Sequence, residues 1–551
     1  MEIPHLWTAI AAAVVFFLAI VCFVPALGER FFGPIENFAS RIAHRKSLSI
    51  FVVAIAPIAI RLSLLWWLPV PVPSVHDEFS YLLAADTFAH GRLTNPPHPM
   101  WVYFETFHVN QHPAYMSKYP PAQGAFLALG QLLGHPWIGV LLSVGLMCGA
   151  IVWMLQGWLP PKWALLGGVL VVLRLGIFTY WMNSYWGGAV AAFGGALVVG
   201  ALPRVMRLRR AQDAVIMALG AAILANSRPL EGLIFCIPVL MALVIWLLSR
   251  RSGSVGENVM RFFLPAGAVL ALAIIFMGYY NWRGTGDPLL FPYVVNSRTY
   301  MTVPQLAWEK GRAPIHYLNP QFDAFYNGQE REIVAAGKAT SLYRTRLILQ
   351  YDAQRLGSFF LWPELSVPLI ALPWILIDRR VRFLVMQFVF CFLGFLLVVW
   401  FLEHYAAPLT ATIFALVVQG FRHIRRWRSY AYPVGVGITR AVFVACFLLA
   451  AWSTYTARGD ISGEDRARIA RQLEGISGKQ LVMVRYSADH DPNDEWVYNR
   501  ADIDDSKIVW AREIPGVSLQ PLLTYFRDRR VWVVEPDEAD PELAPYTPPS
   551  D

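Results

Sequence analysis

Apolar residues run along this chain in windows of about twenty, the length a helix rising ~1.5 Å per residue needs to cross the hydrocarbon of a bilayer. Twelve windows are predicted as membrane helices: residues 7–27, 48–68, 136–157, 163–180, 186–202, 211–225, 230–248, 262–280, 358–377, 383–402, 406–421 and 434–455. Polar residues fall between them, and their type alternates. Every second connection is basic, through Arg41, Arg45 and Lys46; Arg204, Arg207, Arg209 and Arg210; Arg250 and Arg251; Arg379, Arg380 and Arg382; and Arg422, Arg425, Arg426 and Arg428. Such connections are retained in the cytoplasm. Both termini, the long loops 69–135 and 281–357, and everything after the last window are therefore predicted outside a bacterial inner or plasma membrane. The leader 1–5 carries no basic n-region, so the first window is predicted to stay as a helix rather than leave as a signal peptide.

The tail from 456 has a different pattern. Short alternating runs at 480–485, 496–498, 507–510 and 531–534 predict strands, with helices near 464–474 and 518–529 between them. It carries 12 Lys and Arg against 19 Asp and Glu, a net of −7, which leaves +15 on the rest of a chain whose total is +8. The fold class is thus a multi-span α-helical membrane protein over 1–455 with a small exterior α/β domain over 456–551. Its acidic, Pro-rich end from 535 is predicted to stay unpacked.

Composition agrees: of 551 residues, 56% are hydrophobic and only 15% charged, which excludes a soluble nucleic-acid binder despite the basic balance. Cys22, Cys148, Cys236, Cys391 and Cys446 all lie in apolar runs, so neither a disulfide framework nor a Cys/His metal cluster is available. There is no P-loop or dinucleotide fingerprint. Chemistry should be sought in the outer loops.

The first of these opens with Ser74, Val75, His76, Asp77 and Glu78, followed by Tyr81, Ala85, Phe88 and Gly91. The segment predicts a helix with an acidic first turn, stopped at the glycine. Asp77 and Glu78 suit a cap and the helix dipole, and equally suit a general base. Downstream, Lys118, Tyr119, Pro120 and Pro121 break the chain before an apolar helix. Lys118 either reaches for headgroups or binds a lipid phosphate. The turn 226–232 puts Arg228 and Glu231 on the outer side, against the positive-inside bias, as a hairpin ion pair or as a guanidinium gripping phosphate. Asn183 and Tyr185 in another outer turn are candidate substrate contacts or interfacial polar residues. His404 and Tyr405 follow Glu403 in a further turn, and His404 is either a packing residue or a donor to phosphate. Glu105, His108 and His112 are potential metal ligands, but their spacing matches no zinc pattern, and no metal is assigned, although a divalent ion is not excluded.

In combination these segments resemble the GT-C superfamily of integral-membrane glycosyltransferases, in particular the branch with protein O-mannosyltransferases and lipid A aminoarabinose transferases. Asp77, Glu78 and Tyr81 in the first outer loop, with Ala85, Phe88 and Gly91, are similar to that branch's acidic motif, and Lys118, Pro120 and Pro121 to its Lys/Pro-Pro element. The likeness is best over about residues 70–240, thinner to 420, and absent from the tail. An additional first span and the lack of a second catalytic aspartate in a later loop depart from the pattern.

The resemblance implies Asp77 as base or acceptor-positioning carboxylate with Glu78 in support, and Lys118 beside a donor phosphate. The division between Asp77 and Glu78 stays open. The implied donor is a sugar on polyprenyl phosphate, and the partner an acceptor hydroxyl, of lipid, glycan or protein, which attacks the anomeric carbon with inversion. Arg228, Lys118 and His404 would stabilise charge on the departing phosphate, while Tyr81, Asn183, Tyr185, Glu231 and Tyr405 would contact substrate. Two rival readings are a lipid-linked substrate transporter or flippase, for which Arg61, Arg174 and Arg440 within the spans are the relevant ionisable residues, and a non-catalytic envelope assembly subunit.

Overall fold

The computed structural model describes residues 16, 19–249, 254–306, 308–336, 341–361, 363–399, 401–430, 432–456 and 463–547. Among them, seven helices are long and apolar enough to cross a membrane, or eight if the bent pair Gln350–Phe360 and Glu364–Ile377 is one span. The chain is an integral membrane protein. The labels used below are α1 (Pro25–His44), α2 (Lys46–Ser63), α3 (His76–Ala89), α4 (Pro121–Leu132), α5 (Pro136–Trp158), α6 (Pro161–Leu175), α7 (Ala189–Leu208), α8 (Ala211–Ala225), α9 (Pro229–Leu248), α10 (Leu264–Thr285), α11 (Arg382–Phe395), α12 (Thr410–Ile424) and α13 (Val434–Thr456).

The count departs from twelve for physical reasons that differ by segment. Most of the window 7–27 lies outside the described residues. The segment expected as the first cytoplasmic loop is helical as α1, with Phe31, Ile35 and Phe38 exposed on one side and Glu29 and Glu36 paired to Arg440 and Arg425 on another. That distribution suits a helix lying in the interface. The window 358–377 is broken by a bend of 114° between Phe360 and Glu364, where Pro363 precedes the 3-10 segment Glu364–Ala371. The window 383–402 stops at Phe395, because the next backbone is captured by the loop 281–357: Val399 N donates to Gln305 O at 2.9 Å.

Helices α5, α7 and α12 form the centre of the bundle and bury most of their apolar surface inside the protein, whereas α10 leaves nearly all of its own exposed. Packing this close depends on small residues. At Gly124, where α4 crosses the site helix α3, an added Cβ would lie 2.7 Å from the Ala84 Cβ. Any larger residue would push α3 away from its support.

In the tail, strands β1 (Gln480–Val484), β2 (Ile508–Arg512), β3 (Arg530–Val534) and β4 (Ala544–Pro545) form one sheet in the order β2-β1-β3-β4. The first three pair in parallel, with Val482 opposite Trp510 and Trp532, and β4 pairs antiparallel to β3. Residues 496–498 are not a strand. The acidic end is tied down at two points, although most of 535–547 is exposed: Ala544 pairs with Val533, and Asp537 accepts from His490 at 2.7 Å. The tail grips α3 from behind. Ala501 N donates to Asp86 Oδ2 at 2.8 Å, Tyr115 in the adjoining loop donates to Asn499 O at 2.9 Å, and Phe79 packs on Tyr498 with the Arg466 guanidinium 4.6 Å over its ring.

Candidate active site

The site grows from the first turn of α3. Val75 holds an extended N-cap conformation, and Glu78, three residues on, turns back to close the helix end. Its Oε2 accepts from Ser74 N at 2.8 Å, Val75 N at 3.2 Å and Ser74 Oγ at 3.4 Å, while Oε1 accepts from Tyr185 N at 2.9 Å. Burial pushes the Glu78 carboxyl up despite these four donors. Both oxygens are committed to holding the helix start against the turn 183–188.

Asp77 points elsewhere. The Tyr119 hydroxyl donates to its Oδ1, His76 Nδ1 stands 3.2 Å from its Oδ2, and His108 Nε2 lies 3.8 Å from the same oxygen. Burial alone would raise this carboxyl. The imidazoles of His108 and His76 and the Lys118 ammonium around it outweigh burial and hold it well below the usual carboxylate range.

His108 sits at φ +62°, a left-handed conformation rare for a side chain of this size, and its carbonyl is fixed there by Ser80 Oγ at 2.7 Å and Lys118 N at 3.0 Å. The turn it creates carries Lys118 Nζ to 2.6 Å from His108 Nδ1. Burial, with Lys118 and His76 acting in the same sense, keeps the imidazole neutral by drawing its pKa well below the ordinary value against the pull of Asp77. The network therefore assigns Nδ1 as acceptor from the ammonium and Nε2 as the protonated nitrogen facing Asp77. Burial draws the Lys118 ammonium down to about 8, opposed by Asp77 and Glu330 and reinforced by Arg228. Glu330, from the loop 281–357, is itself pushed up to about 7 by burial against Lys118.

Arg228 caps α9, its guanidinium 4.6 Å above the Tyr405 ring. Burial opposes its charge, but Tyr81, Glu231, Tyr405 and Tyr119 outweigh that and raise its pKa further. Tyr81 and Tyr119 stack at 4.4 Å between this cation and Asp77. Asp77, Tyr81, Lys118, Arg228, Glu231 and Tyr405 thus form one neighbourhood. His404 is buried beside it, with Tyr180 Oη 3.1 Å from its Nδ1 and the Trp186 ring 4.8 Å away.

Two sequence candidates do framework work. Asn183 Oδ1 accepts from Arg61 Nε at 2.8 Å, and the Asn183 amide donates to Ile177 O and Thr179 O. Tyr185 donates to Pro71 O at 2.8 Å, and its backbone serves Glu78 and Gln123. Sequence reading missed His76, Tyr119 and Glu330. It grouped His108 with Glu105 and His112, but Glu105 accepts from Tyr300 at 2.9 Å and His112 is exposed against Trp101. Instead, His76, Asp77 and His108 bring ligand atoms within 4.8 Å of one another, a set able to hold a cation in the niche that Lys118 adjoins.

A cleft beside Lys118, lined by Pro121, Asn226, Tyr280 and Tyr293, adjoins an apolar groove of about 350 Å³ through the shared Pro121 and Asn226. Phe88, Leu93, Ala125, Leu129, Leu132 and Phe276 line the groove. The polar site therefore communicates with a surface fit for a hydrocarbon chain.

No family model and no curated protein matches the sequence. Among solved structures the chain is similar to ArnT from Cupriavidus metallidurans in the apo state, with 12% identity, 88% of this chain and 93% of that chain covered, and a TM-score of 0.48. It is similar in the same coverage and TM-score to ArnT bound to undecaprenyl phosphate, at 11% identity. It is also similar to an oligosaccharyltransferase from Archaeoglobus fulgidus in complex with Zn and sulfate, with 11% identity, 88% of this chain and 67% of that chain covered, and a TM-score of 0.45.

Proposed function

We propose that this protein is a glycosyltransferase that moves a sugar from a polyprenyl phosphate to an acceptor hydroxyl at the outer face of a bacterial inner or plasma membrane. One observation carries the reading: an ionised carboxylate, Asp77, and two cations, Lys118 and Arg228, surround one site at the head of an apolar groove. A carboxylate suits an alcohol nucleophile, two cations suit a phosphate, and the groove suits the prenyl chain.

In the proposed reaction the acceptor oxygen attacks the anomeric carbon from the side of Asp77. Its proton passes to an Asp77 oxygen as the bond to carbon forms. The bond from the anomeric carbon to the phosphate oxygen breaks with its electron pair left on that oxygen, where Lys118 and Arg228 hold the growing charge. Phosphate leaves without an acid, so one displacement with inversion suffices. Because Asp77 is held well below the usual range, it acts first by orienting the hydroxyl and accepts the proton late, once the alcohol has become acidic. Tyr119 and the imidazole of His108 aim it. Glu78 is a positioning residue that fixes the helix start, and Tyr81 and Tyr405 present ring faces beside the phosphate site.

The transporter reading asks for ionisable residues free to move within the bilayer. Arg61 is fixed by Asn183 and by the carbonyls of Leu68 and Pro69 at 2.7 Å, Arg174 by the carbonyls of Ser358 and Phe359, and Arg440 by Glu29 and Glu36. Each is an anchor, which favours the transferase.

The test incubates purified protein with several polyprenyl-phosphate sugars and follows release of polyprenyl phosphate, wild type beside Asp77→Asn. Turnover by wild type and its collapse in the variant support the reading; equal turnover removes Asp77 as the reacting carboxylate, and an assembly subunit would show none in either.

A further inference from the structure

The end of the bundle opposite Asp77 carries a second built site. Helix α5 starts beside the outer turn, where His135 caps it and faces Tyr185, and its 23 residues carry the chain about 34 Å to Trp158. There it meets the C-terminal ends of α7 and α12 and the loop before α11. A cavity of about 380 Å³ opens at this junction, lined among others by Trp158, Leu159, Pro160, Arg207, Arg380 and Arg422.

Three guanidiniums in one cavity repel each other unless an anion or a carboxylate intervenes. Among the described residues none of the three is ion-paired to a carboxylate. Arg422 Nη1 donates to Gln419 Oε1 at 2.6 Å, and among the described residues no side-chain hydrogen bond involves Arg207 or Arg380. The adjacent carboxylate, Asp378, accepts from Arg380 N at 2.9 Å, from Gln419 Nε2, and lies 3.2 Å from His423 Nε2. Its Oδ1 serves its own loop and its Oδ2 faces α12, where Gln419 stands between it and Arg422, so it forms no ion pair with any of the three. Helix α6 begins at this cavity with Pro160 as its N-cap; Pro161 has no N–H and the Trp163 and Ala164 amides donate to Pro160 O, so the helix start adds little to the arginines.

Helix C-termini and the retention rule explain why arginines collect on this side. They do not explain why three converge, none ion-paired to a carboxylate, on a cavity whose other lining side chains are apolar but for Gln156. Trp158 stacks on Phe383 at 5.8 Å and forms an aromatic ledge at the helix end, the place where indoles sit at headgroup level. We propose that this cavity binds the phosphodiester headgroup of an anionic phospholipid of the inner leaflet, with Arg207, Arg380 and Arg422 on the phosphate and the acyl chains running past Trp158. The site is independent of the transferase reading.

The test is native mass spectrometry of the purified full chain after exchange into phosphatidylglycerol or phosphatidylcholine. Wild type should retain phosphatidylglycerol over phosphatidylcholine by roughly tenfold. Arg380→Gln, at an exposed residue without side-chain partners, should lose most of that preference, and Arg207→Gln with Arg380→Gln should abolish it. Arg379→Gln removes the same charge from the same loop outside the cavity and should leave the preference intact. Equal retention of both lipids, or equal loss in the Arg379 and Arg380 variants, overturns the proposal. Displacement of the lipid by millimolar inorganic phosphate would reassign the cavity to a soluble phosphate and overturn it as well.

Discussion

At one end of α5 and α7, Asp77, His108 and Lys118 lie within a few ångströms of one another, each partly or wholly buried, and burial and their mutual interactions together set each protonation state. At the other end, Arg207, Arg380 and Arg422 share a cavity in which, among the described residues, none of them is ion-paired to a carboxylate. The first cluster is interlocked, so altering one member changes what the others do. The second brings one sign of charge to an open cavity, so its members act additively on whatever anion arrives. Chemistry needs the first arrangement, because only interlocked charges can be poised against a developing transition state, and simple attraction needs only the second.

The sharpest way to break this contrast is at Asp77. Asp77→Asn should lower transfer by roughly 10²–10⁴-fold with the folded state retained, read as polyprenyl-phosphate release and as unchanged circular dichroism. The next effect is one of pH. Lys118 is charged below about 8 and neutral above it, so raising the pH through that value should weaken donor binding, seen as a rise in KM for the lipid donor. Lys118→Arg should move that limb upward, because a guanidinium keeps its charge. Glu78→Ala should strand the buried amides of Ser74, Val75 and Tyr185, costing roughly 1–3 kcal/mol of stability in thermal or denaturant unfolding, with a fall in turnover that tracks the loosened α3. Smallest of all, Arg380→Gln should leave transfer within about twofold, since an exposed single charge this far from the site is largely screened. A large loss there would mean that the two ends are coupled.

Much of this was legible in the residues. The windows 48–68, 136–157, 186–202, 230–248, 262–280, 406–421 and 434–455 each overlap a helix long and apolar enough to cross a membrane, because a twenty-residue apolar run has few other stable forms. The windows 358–377 and 383–402 are met only in part: a break before Glu364 and the loop 281–357 take over backbone that hydropathy counts as span. In the tail, β1, β2 and β3 were readable from alternation, while 496–498 and the acidic end were decided by long-range pairing with Tyr486, Val533 and His490. Lys118 stood out as a cation before a proline break, but its partner His108 was grouped with the wrong neighbours. A left-handed turn that folds residue 108 onto 118 leaves no mark in composition.

The apolar periods, the sorting of arginines and the acidic opening of α3 are properties of local segments, and local segments determine them. Which of two adjacent carboxylates serves the helix and which faces the lysine is another matter. Successive side chains on a helix diverge by about 100°, so Asp77 and Glu78 must look into different surroundings, and only the packing of the Tyr185 turn on one side and the His108 turn on the other assigns them. Charge was written in the chain, whereas its neighbours, and hence its chemistry, came from folding.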